Sequence, residues 1–363
     1  MLTRLFYLLL AGLLLAAPSR AQTIDVESAT RYWQLTDVLR RNEPLTDEAW
    51  RDFLALPANK VYVENVFNGE ADLKNYRRAL EVVYMPRYDS LRQAKIKAGA
   101  WYYVLINDYK EKEAEYKAFL AEQARNPAYL EKMYTLAYEY LPLRDHTRVA
   151  NLKLGYVVLG NDATSQQEGI YFSLWSARND ALVRPGILEA HEMHHQLISG
   201  VKLMSPPAPG DEGLLWMLRM ELIEGLADLT DKKVQLEESA DSTEIRTWAL
   251  VPTPKALHNI DSTMQARAAG QAPAPERFYR RLTNGSNGHV PGFFMAYTIY
   301  RQGLTQQMLD HADDPFAFAL LYQRAARRDK RRPPTFSKAS VRYLRQLASK
   351  YDKPQPIAAT APK

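Results

Sequence analysis

Between Glu189 and His195, the stretch LEAHEMHHQL sets three of the chain's seven histidines beside two glutamates. No other segment restricts the fold as much. Ile187, Leu188 and Ile198 share a helical face with His191 and His195, and imidazoles on an apolar stripe need partners once that stripe is buried. A metal ion supplies one partner for both rings, provided that they stand one turn apart on one helix. The flanks agree: Pro185 is a favoured first-turn residue and Gly200 stands where a helix would stop, so RPGILEAHEMHHQLIS is predicted to be a helix. His191, Glu192 and His195 then form an H-E-x-x-H pattern, with Glu192 projecting beside the rings toward a water on the ion.

Chance alone produces this pattern in about one chain in a hundred of this length, so a third ligand is required. A second helix, from about Gly213 to Lys233, carries Glu221, Glu224 and Asp228 at spacings of three and four, an acidic stripe facing one way. Glu224 can complete a His-His-Glu set for zinc, with Glu221 as the rival ligand. Asp228, one turn on, can accept the free N–H of a ligating imidazole and fix its tautomer. His194 lies beside His191 on the helical wheel and reads as a supporting or surface residue.

The pairing of HEMHH with EGLAD, Glu224 to Asp228, resembles the gluzincins, the thermolysin-like and related zinc metallopeptidases, and also uncharacterised exported bacterial zinc-dependent peptidases. The likeness runs from Ile170 to Asp228. Thermolysin-like enzymes carry an asparagine before the ligand glutamate, where this chain has Ile223. Two other metal classes are excluded by the residues: a metzincin needs glycine and histidine where Ile198 and Val201 stand, and a carboxylate-bridged di-iron bundle needs two E-x-x-H motifs.

A hydrolase of this kind also needs a donor for the developing oxyanion. NGHVPGFFMAYTIY offers His289 on a glycine-rich turn and Tyr297 near the second turn of a helix begun by Pro291. The resemblance further implies that the strand Ile170 to Ser176, ahead of the zinc helix, corresponds to the edge strand on which zincins pair an extended peptide.

The remaining features fix the setting. The opening MLTRLFYLLLAGLLLAAPSRA has the charge, apolar run and small-residue cleavage site of a signal peptide, which predicts an exported mature chain, periplasmic or secreted. Its removal takes two of the 47 Lys+Arg and none of the 42 Asp+Glu, lowering the formal charge from +5 to +3, too near balance to argue for nucleic acid. There is no cysteine, so the core, helped by a metal, must hold the fold without disulfides.

Residues 22–145 read as a helical region whose tyrosines pack helix on helix, residues 146–350 as the catalytic region, and residues 351–363 as a loose tail. Thr147 to Gly160 and Gly169 to Ala177 read as strands separated by the loop NDATSQQE. The expected fold is α+β and zincin-like, mostly helical with a small twisted sheet. The expected activity is zinc-dependent peptide hydrolysis. A helical scaffold with a structural zinc, or a zinc hydrolase of other substrates, are the alternatives.

Overall fold

The computed structural model describes residues 23–351, except residues 168, 202 and 204. The signal-peptide stretch and the tail beyond Tyr351 lie outside the described residues. The chain is mostly helical with one four-stranded sheet, an α+β architecture, and it divides into two compact units.

The first unit comprises residues 23–127 and 148–178. Seven helices, α1 (Glu27–Arg40), α2 (Asp47–Leu54), α3 (Pro57–Val66), α4 (Glu70–Tyr84), α5 (Asp89–Lys97), α6 (Trp101–Glu111) and α7 (Glu113–Arg125), accompany the sheet. The strands β1 (Thr23–Asp25), β2 (Lys153–Val157), β3 (Ala163–Gln166) and β4 (Gly169–Ser173) lie in the order β1-β2-β4-β3. β2 runs parallel to both neighbours, with Leu154 opposite Ile170, while β3 returns antiparallel to β4. Every residue of β4 is buried and the strand lies between β2 and β3, so it is a central strand and not the peptide-pairing edge strand that the resemblance implies.

The tyrosines do more than pack helix on helix. Tyr32 meets Tyr84 and Tyr109 ring to ring, whereas Tyr76 donates its hydroxyl to Val158 O at 2.9 Å and Tyr62 donates to Asp162 O at 3.1 Å, tying helices to the sheet. Burying a tyrosine is tolerable when its hydroxyl finds such an acceptor.

Three details differ from the sequence reading. β1 lies at the start of the region expected to be helical, because three extended residues suffice once β2 offers a free edge. β3 lies inside the expected loop; its polar ATSQ carries almost no strand signal and is held by the ladder to β4. The strand expected to reach Ser176 stops at Ser173, and a helix, α9 (Leu174–Val183), follows at once. The sheet therefore groups with the N-terminal helices, and the division does not fall at residue 145.

The second unit comprises residues 128–147 and those from 179 onward. It holds α8 (Pro127–Tyr138), α10 (Ile187–Leu197), α11 (Glu212–Glu238), α12 (Thr253–Ala268), α13 (Glu276–Leu282), α14 (His289–Arg301), α15 (Thr305–Asp310), α16 (Pro315–Arg328) and α17 (Lys338–Tyr351). α11, 27 residues long, is buried over most of its circumference, as expected for a helix with neighbours on several sides. α10 and α14 pack against it, and Leu218, Leu222, Leu226, Phe293 and Ile299 belong to the shared core. Among the described residues no helix is long and apolar enough to cross a membrane.

Candidate metal centre

α10 starts after Gly186, which takes a left-handed conformation (φ 91°) and serves as the N-cap, so Pro185 stands just ahead of the first turn. The helix buries His191, Glu192 and His194 and leaves His195 partly open. α14 reaches α11 by an unusually close approach. A Cβ added to Gly225 would stand 2.6 Å from the carbonyl oxygen of Gly292, and one on Gly292 would strike the carbonyl oxygen of Glu221. Gly288, at φ 108°, abuts the backbone of Met220. Only glycine permits that spacing, and it delivers His289, the first residue of α14, onto the acidic face of α11.

The atoms that meet there form a small triangle. His191 Nε2 and His195 Nε2 stand 3.2 Å apart, Glu224 Oε2 lies 3.2 Å from the second and 3.9 Å from the first. Ligands held tetrahedrally by zinc at about 2.0–2.1 Å stand roughly 3.3–3.4 Å from one another, so the three donors fit one ion without rearrangement. His191 Nδ1 lies 3.0 Å from Asp231 Oδ1, and a proton shared there leaves Nε2 turned to the cluster with its lone pair. Asp231 is fully buried and receives Lys232 Nζ at 2.6 Å and the Lys232 amide at 2.7 Å.

A second grouping, His191, Asp228 and His289, also comes within ligand range. Its carboxylate is already engaged, since both oxygens of Asp228 lie 3.1 Å from His289 Nδ1 and accept its N–H. The first triangle is the better metal site.

The electrostatics point to a cation. Burial lowers the pKa of His191, yet Asp231, then Asp228 and Glu192, raise it to about 10. Burial likewise opposes protonation of His289, and Asp228 and Glu224 push it up to about 9. Burial would raise the Glu224 carboxyl, but His195 and His289 hold it well below the usual carboxylate range. Acceptors gathered this tightly in a shielded site call for positive charge, which a divalent ion supplies.

The other expected residues are distributed as follows. Glu192 is buried on α10 next to His191. His289 reaches the cluster, with Nε2 3.4 Å from Glu224 Oε2, and keeps 29% of its side chain open to solvent. Tyr297 does not reach it: its hydroxyl bonds Glu237 at 3.1 Å and its ring stacks between Phe293 and Tyr300. Because α14 starts at His289, Tyr297 lies about 12 Å further along the axis.

Asp228 is not the acceptor for the ring of His191; it stands 3.7 Å away, and Asp231 takes that position one turn later. His194 is fully buried rather than on the surface. Its Nε2 lies 3.1 Å from Tyr140 O, and burial, with His195 adjacent, pushes its pKa down to about 3. Glu221 is buried outside the triangle, where burial alone pushes its carboxyl up to about 8. Asp231 and Lys232 carry no motif of their own in the sequence, although Asp231 continues the stripe at seven residues from Glu224 and three from Asp228.

A helical α+β protein with histidine and carboxylate donors converging on one point is the class that fold and site define. Residues 50–331, more than half of the chain, match the family model described as "Putative zinc dependent peptidase (DUF5700)". The chain belongs to that family. No curated protein and no solved structure matches it.

Proposed function

We propose that the chain is an exported zinc metallopeptidase of zincin-like fold, in which His191, His195 and Glu224 hold the ion and Glu192 is the general base. One observation carries this reading: three donor atoms from two helices, 3.2, 3.2 and 3.9 Å apart, in the family described as zinc-dependent peptidases. Zinc held there polarises a peptide carbonyl and makes water easier to deprotonate near neutral pH.

The chain's own residues do the rest. Glu192 accepts the proton of the attacking water and passes it to the leaving amine. Asp231 fixes the ring of His191, and Lys232 keeps Asp231 ionised and in place. Asp228 accepts from Nδ1 of His289 and orients the ring, so that its Nε2 edge is the one presented to the oxygen of the carbonyl under attack. The exposed edges of His195 and His289 form the side open to a peptide.

The 3.4 Å approach of His289 to Glu224 favours a second reading, in which His289 is a fourth ligand and the zinc is structural. Glu192→Gln separates the two. It should retain zinc and lower cleavage of a peptide library by about 10²- to 10⁴-fold. A Glu192→Gln protein that cleaves peptides as fast as the parent overturns the assignment of the base.

A further inference from the structure

The segment Thr243–Leu250 joins α11 to α12 and ends in a π-helical turn, Arg246–Leu250. Such widened turns recur at functional sites. Here Ile245 and Ala249 are buried, whereas Trp248 is 37% exposed and Val251, the next residue after the turn, is 71% exposed. The Trp248 ring lies 6.2 Å, centroid to centroid, from the ring of His289, and Lys232 Nζ lies 5.9 Å from the Trp248 centroid. The indole thus neighbours two residues that border the metal centre.

Its position is pinned. The hydroxyl of Thr253 donates to Ala249 O and lies 3.4 Å from Val290 O, coupling the π-helical turn to the first turn of α14, next to His289. More than a third of Trp248 stays open to solvent, and it is not among the residues of this unit's hydrophobic core. Aromatic rings with one open face are the usual anchors for apolar partners.

We propose that Trp248 is a specificity-determining residue that packs against a large apolar side chain flanking the scissile bond, so that the preferred substrates are peptides with an aromatic or branched aliphatic residue there. The proposal rests on the peptidase reading above. His289 faces the carbonyl under attack, and a side chain one residue from that carbonyl falls within reach of the neighbouring indole.

The test is cleavage-site profiling of the zinc-loaded full chain with a peptide library, repeated for Trp248→Ala and Trp248→Phe. The parent should prefer large apolar residues at one position beside the cleaved bond. Trp248→Ala should flatten that preference and lose about tenfold or more in kcat/KM on preferred peptides, mainly through KM, while binding zinc as before. Trp248→Phe should recover most of it. A preference that survives Trp248→Ala overturns the inference and leaves the peptidase reading intact. A uniform fall in kcat across all peptides, or loss of zinc, overturns it too, because Trp248 would then only support His289. A parent that cleaves no peptide overturns both.

Discussion

At the cluster, two carboxylates of α11 each orient one imidazole. Asp231 meets Nδ1 of His191 and Asp228 meets Nδ1 of His289, each bond near 3 Å. Removing them should therefore have different consequences. Asp231→Ala frees the ring of His191 and should weaken zinc binding about 10- to 100-fold, measured by competition with a chromophoric chelator. Asp228→Ala should leave zinc content near that of the parent and lower kcat, because His289 loses its orientation; equal zinc loss in both variants would contradict this division of roles.

Glu221 makes a pH prediction of its own. Burial raises its folded-state pKa to about 8, above the ordinary value of 4.5. Between those values the unfolded chain releases a proton that the folded chain keeps, so this group costs stability progressively as pH rises from 4.5 to 8, by a few kcal/mol in all on an order-of-magnitude reckoning. Glu221→Gln should flatten that fall in urea unfolding measured across the range, and an unchanged slope would show that Glu221 is not the source.

Among the elements, the contact of α11 with α14 decides whether His289 belongs to the site at all. It depends on Gly225, Gly288 and Gly292, none of which has room for a Cβ against rigid backbone. Gly292→Ala should lift α14, cost about 1–3 kcal/mol in urea unfolding, and reduce kcat more than zinc affinity. Unchanged stability and kcat would mean that the two helices part without strain.

The two helices that carry the donors could be read from the sequence. The H-E-x-x-H spacing and the stripe Glu221, Glu224, Asp228 are local periodicities, and periodicity is what a helix writes into its sequence. What lay between elements could not be read. The glycines bring His289 but not Tyr297 to the cluster, a matter of where α14 begins and not of its composition. β1 and β3 are too short or too polar to announce themselves and exist through their partners. Trp248 has no motif around it, and its place beside His289 follows from tertiary packing alone.

The whole molecule must remain folded without a disulfide, since the chain contains no cysteine. Each of its two units has its own aromatic or aliphatic core. In the unit that holds the metal centre, His191, Glu224, Asp228 and Asp231 are all buried; Lys232 offsets Asp231, and the ring nitrogens gathered with the Glu224 carboxylate make a donor set suited to a divalent ion. Zinc should therefore stabilise this unit by mass action, by about 2.7 kcal/mol when free zinc exceeds Kd a hundredfold. Removing it with a chelator should lower Tm and abolish cleavage together, and adding zinc back should restore both; a Tm indifferent to the chelator would count against a buried ion.

The most direct measurement is a crystal structure with diffraction collected on both sides of the zinc absorption edge. The expected result is one anomalous peak per chain, within about 2.0–2.2 Å of His191 Nε2, His195 Nε2 and a Glu224 oxygen, with solvent as the fourth neighbour. A peak between His191, Asp228 and His289 would contradict the assignment. So would a shell closed by His289, because a fourth protein ligand takes the position that water must occupy.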